Sequence, residues 1–476
     1  MLGHIWRLLI LGAVACLASA ALAEGGRPDC TTARADYRRL AAEAYIWGYP
    51  LIRSAQLRQN MTLPEDPLRP RPATTAGAPI NRLGHARALA TPETRQGVAP
   101  NNDTLYSLAW IDTTAGPFVF EAPDFGARYY TFQMGQADTS TDLALGQSTH
   151  GSRLPPVFIQ GPGQKHPVPP GMIGVRATQR YFMLAGRTLV RDAEDFAEVW
   201  QLQDRMRLRT WDDFRDGRDR EAPIVPQGPI ERREPPTDDP AAFLGMLGAV
   251  LEDWRPVGSD RRIVRSLAPL GLAPGRTFDP RCLPADALPE IAQGLAEARS
   301  AIEQRTRDLG TNVNGWTVNY RGAAFGSDLL LRAAVAMDQI YVLPAHEAIY
   351  MIAKRDSQGR TLDGNSSYVL RFRAEELPPA GAFWSATVYY AKGFLVANPV
   401  GRYSIGDRTP GLVRGADGSI EIRLQHDAPA DGEANWLPVP SEHFTVMLRL
   451  YRPAEDARNR RWLPPAIEEM PADWRK

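Results

Sequence analysis

Proline and glycine divide most of this chain into short segments, and this punctuation limits the folds open to it. The 476 residues include 41 prolines and 40 glycines. Between such breaks, residues 94–190 and 341–476 carry short aromatic or alternating stretches, such as residues 420–424 after the turn at Asp417-Gly418. Because alternation with a period of two is typical of strands with one buried face, the sequence predicts a mainly β protein of the sandwich or jelly-roll type.

Two regions depart from this pattern and show helical periodicity. Apolar residues between 37 and 45 share one helical face, and Gly48-Tyr49-Pro50 is expected to interrupt that helix. Farther along, apolar residues recur in steps of three and four from 288 to 309, and Asp239-Pro240 offers an N-cap followed by proline at the first helical position. We therefore expect a helical domain between two β domains.

These patterns divide the chain into five segments. They are a signal peptide (1–23), an N-terminal helix with an extended arm (24–93), a β domain (94–191), a helical domain (192–340) and a second β domain (341–476).

The first 23 residues have the features of a secretory signal peptide. Arg7 precedes an apolar run over residues 8–20, and Ala21-Leu22-Ala23 forms a cleavage site before Glu24. The run is short for a membrane-spanning helix, which needs about 20 residues, and no later stretch is long and apolar enough to span a bilayer. The sequence therefore predicts a periplasmic or secreted protein, cleaved near Ala23, without stable membrane insertion.

Composition excludes some classes of partner and leaves others open. The 55 Lys and Arg residues balance 55 Asp and Glu residues, so the chain has no basic excess for binding nucleic acid. A small-molecule ligand and a homo-oligomer both remain open. An oxidising compartment would allow Cys30 and Cys282 to form a disulfide, and the sequence does not decide whether they do.

No standard catalytic or metal signature occurs in the sequence. The chain lacks the nucleophile elbow G-x-S-x-G and both Gly-rich nucleotide-binding motifs. His346 and Glu347 begin like a zinc-protease helix, but Tyr350 stands where the second histidine would be needed. The other histidines are not at ligand spacing, so we predict no metal site and leave the cofactor unknown.

The most unusual segment is a run of mostly small and polar residues at 101–107. One interpretation is a turn, because Asn and Asp side chains bond their own backbone and begin strands. The other is a ligand site, in which Asn101 and Asn102 bind the ligand. Asp103 would then act as an acid or base, with Tyr106 as a hydrogen-bond donor.

A second polar and aromatic set lies in the C-terminal region. Aromatic faces beside Asn and Arg could stack on a sugar or another polar small molecule and hydrogen-bond it. Alternatively, Trp436 and Tyr451 are core aromatics whose polar tips find partners. The set comprises Asn398, Arg402, Tyr403, Ser404, Asn435, Trp436, Arg449 and Tyr451.

Long motifs in both halves of the chain resemble known families. In the first half they are AAEAYIWGYP (41–50), PNNDTLYS (100–107), AW (109–110) and RYY (128–130), together with Asn81 and His85. In the second half they are RAA (332–334), LDG (362–364), FWS (383–385), NP (398–399), RYSIGD (402–407), DGS (417–419) and NWLP (435–438). The first set resembles the family called domain of unknown function 1254, and the second resembles its usual tandem partner, domain of unknown function 1214.

This resemblance implies an architecture but no activity. It implies an immunoglobulin-like β-sandwich, a helical insert and a C-terminal jelly roll. It also strengthens the ligand-site interpretation of residues 101–107, because a turn rarely demands seven consecutive residues of defined type. Residues 337–347 depart from the family pattern, in which a Gly-rich stretch is expected before an acidic pair.

Three hypotheses of function follow. The first is an exported enzyme that acts on a small polar or carbohydrate-like molecule by acid–base chemistry, with Asp103 or His85 carrying the proton and Tyr106 and Arg402 orienting the substrate. The second is a non-catalytic ligand-binding protein, whose site is formed by the Asn435-Trp436 and Arg402-Tyr403 groups. The third is a self-assembling envelope protein. A single deep pocket lined by both polar sets would favour the enzyme, whereas a shallow aromatic groove on the C-terminal domain would favour binding alone.

Overall fold

The structure is a computed structural model that describes residues 35–63, 68–94, 99–224, 226–258 and 260–471. The predicted signal peptide, its cleavage site at Ala23 and Cys30 lie outside these ranges. The helices are α1 (Tyr37–Thr62), α2 (Gln147–His150), α3 (Phe196–Asp204), α4 (Trp211–Arg215), α5 (Pro240–Leu251), α6 (Asp260–Ser266), α7 (Leu288–Thr306), α8 (Leu329–Asp338) and α9 (Glu455–Arg458).

The strands fall in two long blocks of the chain. The first block is β1 (Gly84–His85), β2 (Thr104–Asp112), β3 (Phe118–Glu121), β4 (Tyr130–Gly135), β5 (Thr141–Gly146), β6 (Val157–Gln160), β7 (Ile173–Arg176), β8 (Tyr181–Leu189) and β9 (Arg207–Thr210). The second block is β10 (Thr311–Val313), β11 (Trp316–Val318), β12 (Ala348–Ala353), β13 (Tyr368–Phe372), β14 (Ala380–Tyr390), β15 (Ser404–Gly406), β16 (Ile420–Gln425), β17 (Trp436–Pro438), β18 (Phe444–Pro453) and β19 (Ile467–Glu469).

The first block forms a sandwich of two open sheets. One sheet has the order β1-β2-β8-β4-β5 and the other β7-β6-β3-β9. Phe120 and Phe132, from the two sheets, meet edge to face with ring centres 4.6 Å apart inside a buried apolar cluster. We call this unit the first sandwich.

The second block forms another sandwich of open sheets, here called the second sandwich. Its sheets have the orders β10-β11-β12-β18-β14-β15 and β17-β16-β13-β19. Ile420, Ile422 and Leu424 of β16 all lie in its core, fully buried, as their alternation predicts. The prediction of a mainly β fold with helical parts is confirmed.

The helices form a layer of their own around α1. Its apolar face packs against α5, α7 and α8 in one buried cluster. The prediction that residues 48–50 interrupt this helix is wrong, because α1 continues through Pro50 to Thr62. Gly48 instead allows close packing of two helices: a Cβ there would lie 2.8 Å from the methyl carbons of Leu247 on α5.

The structural units interleave along the chain. Although β9 lies within residues 192–340, where helices were expected, it pairs with β3 of the first sandwich. Strands β10 and β11 from the same segment extend the second sandwich. Helix α1 joins the helical layer rather than standing apart with the arm that follows it. Sequence neighbours therefore do not define the packing units.

Two further features concern the length of the helices and the state of Cys282. Within the described ranges, no helix combines the length and apolar character needed to cross a bilayer. Cys282 is disulfide-bonded, and its partner is not among the described residues.

Candidate functional site

A cavity of about 180 Å³ lies where the two sandwiches face each other. Its wall comes from the five-stranded sheet of the first sandwich, the six-stranded sheet of the second, the end of α1 and the segment after α8. Both family-like halves of the chain therefore contribute to one partly open cavity.

Strand alternation explains which side chains reach the cavity. On β8, Phe182 and Leu184 point into the core of the first sandwich, whereas Met183, Ala185 and Arg187 line the cavity. Because successive side chains of a strand point to opposite faces, one strand serves both purposes.

Strand β18 repeats this division on the opposite side of the cavity. Its Leu448 and Leu450 belong to the core of the second sandwich, whereas Met447, Arg449 and Tyr451 line the cavity. The two sheets thus present equivalent outer faces to the same space.

One end of the cavity is apolar. Leu57 and Met61 from the last turns of α1 lie there with residues 339–342, which follow α8. Ile340 has a φ of 49°, a conformation that a β-branched residue rarely adopts. This strained turn lies in the segment that departs from the family pattern, so the departure shapes the cavity wall.

The other end is polar and is organised by Asn101. Its side-chain oxygen accepts hydrogen bonds from the backbone N–H groups of Asp103 and Thr104, at 3.2 and 3.1 Å. Its Nδ2 lies 3.2 Å from the hydroxyl of Tyr106 and 3.1 Å from that of Tyr451. The turn that Asn101 closes therefore also aims its amide at two tyrosines of the cavity wall.

Arg187 is the most notable polar group of the cavity. It is 7% exposed, and its Nη1 donates to Gln133 Oε1 at 2.9 Å. Its guanidinium carbon lies 5.2 Å from the centre of the Tyr106 ring, its cross-strand neighbour. Burial acts to lower the pKa of Arg187, but the tyrosine oxygens around it, among them that of Tyr350, outweigh this and raise it above the ordinary value.

A second buried arginine lies on the opposite wall. Arg449 is 2% exposed and donates from Nη2 to the Ala99 carbonyl at 2.7 Å and to the Tyr389 hydroxyl at 2.8 Å. Tyr350 is its cross-strand neighbour on β12, and burial raises the pKa of that tyrosine. The polar end thus holds two cations and several neutral hydroxyl groups.

Asp103 does not line the cavity. Its carboxylate accepts from Ser385 Oγ at 2.7 Å and forms an ion pair with Arg408 Nη2 at 2.7 Å, both in the second sandwich. Asp103 is 3% exposed, so its oxygens are committed to this join between the sandwiches. The geometry gives it a structural contact rather than a path to a ligand.

His85 lies next to the cavity wall but does not line it. Its Nδ1 is 2.9 Å from Ser107 Oγ, on the neighbouring strand. Burial, with a smaller effect of Arg87, lowers the pKa of His85 to about 4. A neutral imidazole held against Ser107 is a poor proton donor at neutral pH.

The remaining residues predicted from the 101–107 segment have different surroundings. Asn102 donates from Nδ2 to the Ala90 carbonyl at 2.6 Å and thereby fixes the chain entering β2. Tyr106 lines the cavity, as does Asn101. Of the catalytic residues predicted, Tyr106 alone faces the cavity.

Apart from Arg449 and Tyr451, the residues of the C-terminal set make their contacts within the second sandwich and not with the cavity. Arg402 donates from Nη1 to the carbonyls of Glu433 and Trp436 at 2.6 and 2.8 Å. Trp436 is 1% exposed and donates to the Gln425 carbonyl at 2.9 Å.

Asn435 and Tyr403 also have local roles. Asn435, with a φ of 54°, exchanges hydrogen bonds with the backbone of Val413. Tyr403 is partly buried against a small apolar cluster, and burial raises its pKa. Neither residue lines the cavity, so the expected aromatic binding set is dispersed.

Sequence reasoning missed Arg187, Gln133 and Tyr350. A signal for Arg187 was present, because it stands in the otherwise uncharged strand of residues 181–189. Charged side chains are rarely buried without a partner, so an arginine in a strand buried on both faces indicates a special environment. Gln133 and Tyr350 carried no comparable signal.

The described residues contain no group of three or more His, Cys, Asp or Glu side chains placed to hold a metal ion. The side chains at the polar end of the cavity are arginine, tyrosine, asparagine, glutamine and threonine. Such a set suits hydrogen bonding and charge pairing with an organic molecule.

One solved structure shares this fold, and a second aligns more weakly. The crystal structure of the VPA0106 protein from Vibrio parahaemolyticus aligns with 91% of this chain and 100% of its own, with a TM-score of 0.66 and 22% identity. An uncharacterized protein from Burkholderia cenocepacia aligns over 90% of this chain and 88% of its own, with a TM-score of 0.41 and 12% identity. No curated protein matches the chain. At 22% identity the first similarity concerns the fold alone.

Family models match both halves of the chain, in the order that the motifs indicate. The model described as protein of unknown function DUF1254 matches residues 80–210, and the one described as protein of unknown function DUF1214 matches residues 347–455. The first match covers most of the first sandwich and the second covers most of the strands of the second. The chain therefore belongs to the tandem family in which a DUF1254 segment precedes a DUF1214 segment.

Proposed function

We propose that this protein is exported from the cytoplasm and binds a small organic molecule in the cavity between its two sandwiches. The observation that carries the proposal is that the two family segments jointly line one cavity of about 180 Å³ with an apolar end and a polar end. Ligand sites of proteins are typically such concave, mostly apolar spaces with a few convergent polar groups.

The contacts between the family segments support this proposal. Asn101 of the first sandwich lies 3.1 Å from the Tyr451 hydroxyl of the second, and Arg449 reaches the Ala99 carbonyl at 2.7 Å. These contacts hold the polar end in place before any ligand arrives. A preformed site binds with less loss of conformational entropy.

An enzyme is the second candidate, and the tyrosines favour it. Because Tyr106 and Tyr451 accept hydrogen bonds from Asn101, their own O–H groups are free to donate to a ligand. Acid–base chemistry would then use these hydroxyls as proton donors rather than Asp103 or His85. Mass spectrometry of a ligand incubated with each protein tests this. If the protein is an enzyme, wild type should form a product, whereas Tyr106→Phe and Tyr451→Phe should bind the ligand but form none.

Export is supported by two independent features. The first 23 residues have the signal-peptide pattern, with cleavage expected before Glu24. Cys282 is disulfide-bonded, and disulfides persist mainly in oxidising compartments. Recovery of a chain that begins at Glu24 from a periplasmic or culture fraction would support export, and a full-length chain confined to the cytoplasm would contradict it.

The experiment that tests binding compares wild type with Ala185→Leu in a thermal-shift screen of sugars, organic acids and aromatic compounds. Ala185 lines the cavity between Leu108 and Gln133 on the neighbouring strands, so a larger side chain there fills the space. A ligand at about 100 times its dissociation constant adds roughly 2.7 kcal/mol of stability. We expect that gain in wild type and its loss in Ala185→Leu.

A matched control is Ala391→Leu, which makes the same change at an exposed position outside the cavity. This variant should respond to ligands as wild type does. Equal responses of all three proteins would show that binding occurs elsewhere and would contradict the proposal.

A further inference from the structure

The charges of the cavity are unbalanced. Among the described residues, its lining includes Arg187 and Arg449, both more than nine-tenths buried, and no Asp or Glu. Within the described ranges, neither guanidinium has a carboxylate within ion-pair distance: the hydrogen-bond acceptors of Arg187 and Arg449 are neutral oxygens of Gln133, Thr387, Tyr389 and Ala99.

Two other buried arginines of the chain show the usual arrangement. Arg128 pairs with Asp195 and Glu198, and Arg332 pairs with Asp138 at 2.8 Å. Arg58 lacks a carboxylate partner, but the Tyr181 ring covers its guanidinium at 3.4 Å.

The carboxylate of Asp103 helps to raise the pKa of Arg449, although Asp103 is itself ion-paired with Arg408. Arg187 has only tyrosines among its main electrostatic neighbours, so it is the cavity arginine without a counter-ion among the described residues.

Such an arrangement is costly for the empty protein. A buried charge is disfavoured unless an opposite charge or a full set of hydrogen bonds compensates it. Arginine cannot escape this cost by losing its proton, because its pKa stays above 12. An anion that enters the cavity would supply the missing charge.

The hydrogen-bond donors of the polar end suit an anionic group with two oxygens. A guanidinium carries five N–H donors in a planar fork, and Gln133 takes one donor of Arg187. A carboxylate accepts two parallel hydrogen bonds from such a fork. The hydroxyls of Tyr106 and Tyr451 add donors beside it, since each oxygen is already used as an acceptor for Asn101.

The rest of the wall suits an apolar chain. Met61 of α1 and Met183 of β8 belong to one apolar cluster of the lining, together with Leu57, Leu108 and Ile340. Met447 of β18 lines the cavity near Arg449, where it packs with Tyr389. Methionine side chains are flexible and adapt to ligands of different shape. Among the described residues, this wall has no charged group, and its unpaired polar atom is the buried side-chain oxygen of Gln339.

We propose that the ligand is an amphipathic carboxylate, whose head pairs with Arg187 and Arg449 and whose apolar tail lies against that apolar cluster of the lining. The inference rests on the proposed function, since it names the class of molecule that the cavity takes. Arg187 is the residue that sets the preference for an anionic head, because most of its donors remain available. Arg449 also holds the Ala99 carbonyl and the Tyr389 hydroxyl, so it is fixed in place on the opposite wall.

Isothermal titration calorimetry at neutral pH tests this inference by measuring the affinity of the protein for hexanoate, 1-hexanol, hexylamine and acetate. The first three probes each have six carbon atoms in one chain and differ in head charge, whereas acetate keeps the carboxylate and lacks the long tail. We expect hexanoate to bind about ten- to hundredfold more tightly than 1-hexanol, because hydrogen bonds to a charged group are stronger than those to a neutral group. Hexylamine and acetate should bind more weakly than hexanoate.

The variant Arg187→Gln separates a binding role from a structural one. It should lose the preference for hexanoate while its affinity for 1-hexanol stays unchanged, which a merely misfolded protein would not do. Arg414→Gln, which changes an exposed arginine outside the cavity, should keep the wild-type preference. Should Arg187→Gln fail to fold, the ranking of the four probes on wild type still decides the question.

The outcomes distinguish this inference from the proposed function. Equal affinity for hexanoate and 1-hexanol, with both weakened by Ala185→Leu, would overturn the anionic head but keep the cavity as the site. An absence of hexanoate binding to wild type would also overturn the inference. Hexanoate binding that Ala185→Leu leaves unchanged would place the ligand elsewhere and overturn both.

Discussion

Asp103 of the first sandwich and Arg408 of the second form an ion pair across the join between them, with Oδ1 and Nη2 2.7 Å apart. Asp103 is 3% exposed and the Arg408 side chain is 24% exposed, so water screens the pair only from one side. The ring of Phe383 covers the Arg408 guanidinium at 4.3 Å. The pair therefore belongs to the packing that keeps the cavity walls together.

The first prediction concerns this pair. Asp103→Asn should lower the free energy of unfolding by about 2 kcal/mol, less than the roughly 3–5 kcal/mol for breaking a fully buried pair, because water still reaches Arg408. A double-mutant cycle with Arg408→Gln in urea unfolding should give a coupling of about 1–3 kcal/mol.

Asp427→Asn is the control, since that carboxylate is almost fully exposed. It should change stability by less than about 0.5 kcal/mol. A coupling near zero between Asp103 and Arg408 would mean that the pair does not stabilise the join. If Asp103→Asn lowers ligand affinity by more than its loss of stability explains, then Asp103 takes part in ligand binding.

The second prediction concerns helix packing. A Cβ at Gly294 of α7 would lie 2.1 Å from the carbonyl oxygen of Arg38 on α1, and backbone cannot move aside as a side chain can. Gly294→Ala should therefore destabilise the protein by about 3 kcal/mol in urea unfolding.

The matched variant is Gly245→Ala, in helix α5. There the nearest atom to the new methyl group is 3.9 Å away, an ordinary contact. Replacing a helical glycine by alanine without a clash should stabilise by about 0.5–1 kcal/mol. Equal effects of the two substitutions would show that α1 and α7 do not pack as closely as described.

The sequence predicted the elements of the fold better than their arrangement. Alternation over residues 420–424 and the cap at Asp239 are local signals, and both are found in the structure. The helix break at residues 48–50 was wrong because Gly48 serves a contact with Leu247, far away in the sequence. Tertiary packing overrides local propensity in such cases.

The site was harder to predict for the same reason. Asn101 and Tyr451 are 350 positions apart, yet their side chains lie 3.1 Å from each other. A single sequence does not show that the segment leading into β2 and strand β18, which belong to different sandwiches, lie close together in space. The sequence singled out residues 101–107 as unusual, but whether Asp103 faced a ligand or Arg408 depended on that packing.

The third prediction concerns pH. The pKa of His85 is lowered to about 4 in the folded protein, mainly by burial, against about 6.5 in the unfolded chain. Between these values the unfolded state binds more protons, so stability is full above pH 6.5 and falls as the pH decreases towards 4. The loss from this residue should reach about 3 kcal/mol.

The variant His85→Asn tests this directly, because its amide can still meet Ser107. Urea unfolding of wild type and His85→Asn is compared at neutral pH and at the acidic end of the range. The variant should lose less stability on acidification by about the amount assigned to His85. Parallel curves for the two proteins would show that His85 titrates alike in the folded and unfolded states.

The last prediction follows from the unbalanced charge of the empty cavity. Arg187→Met keeps the length of the side chain and removes a buried charge that has no carboxylate partner within the described chain. Replacing buried charges with apolar groups of similar volume is often neutral or stabilising. We therefore expect the free energy of unfolding of the ligand-free protein to stay unchanged or to rise by about 1 kcal/mol.

Urea unfolding without ligand measures this free energy, with Arg128→Met as the comparison. That change leaves Asp195 without its ion-pair partner and should destabilise the protein by roughly 3 kcal/mol. If Arg187→Met destabilises as strongly as Arg128→Met, then Arg187 supports the fold, and its lack of a carboxylate partner no longer indicates an anionic ligand.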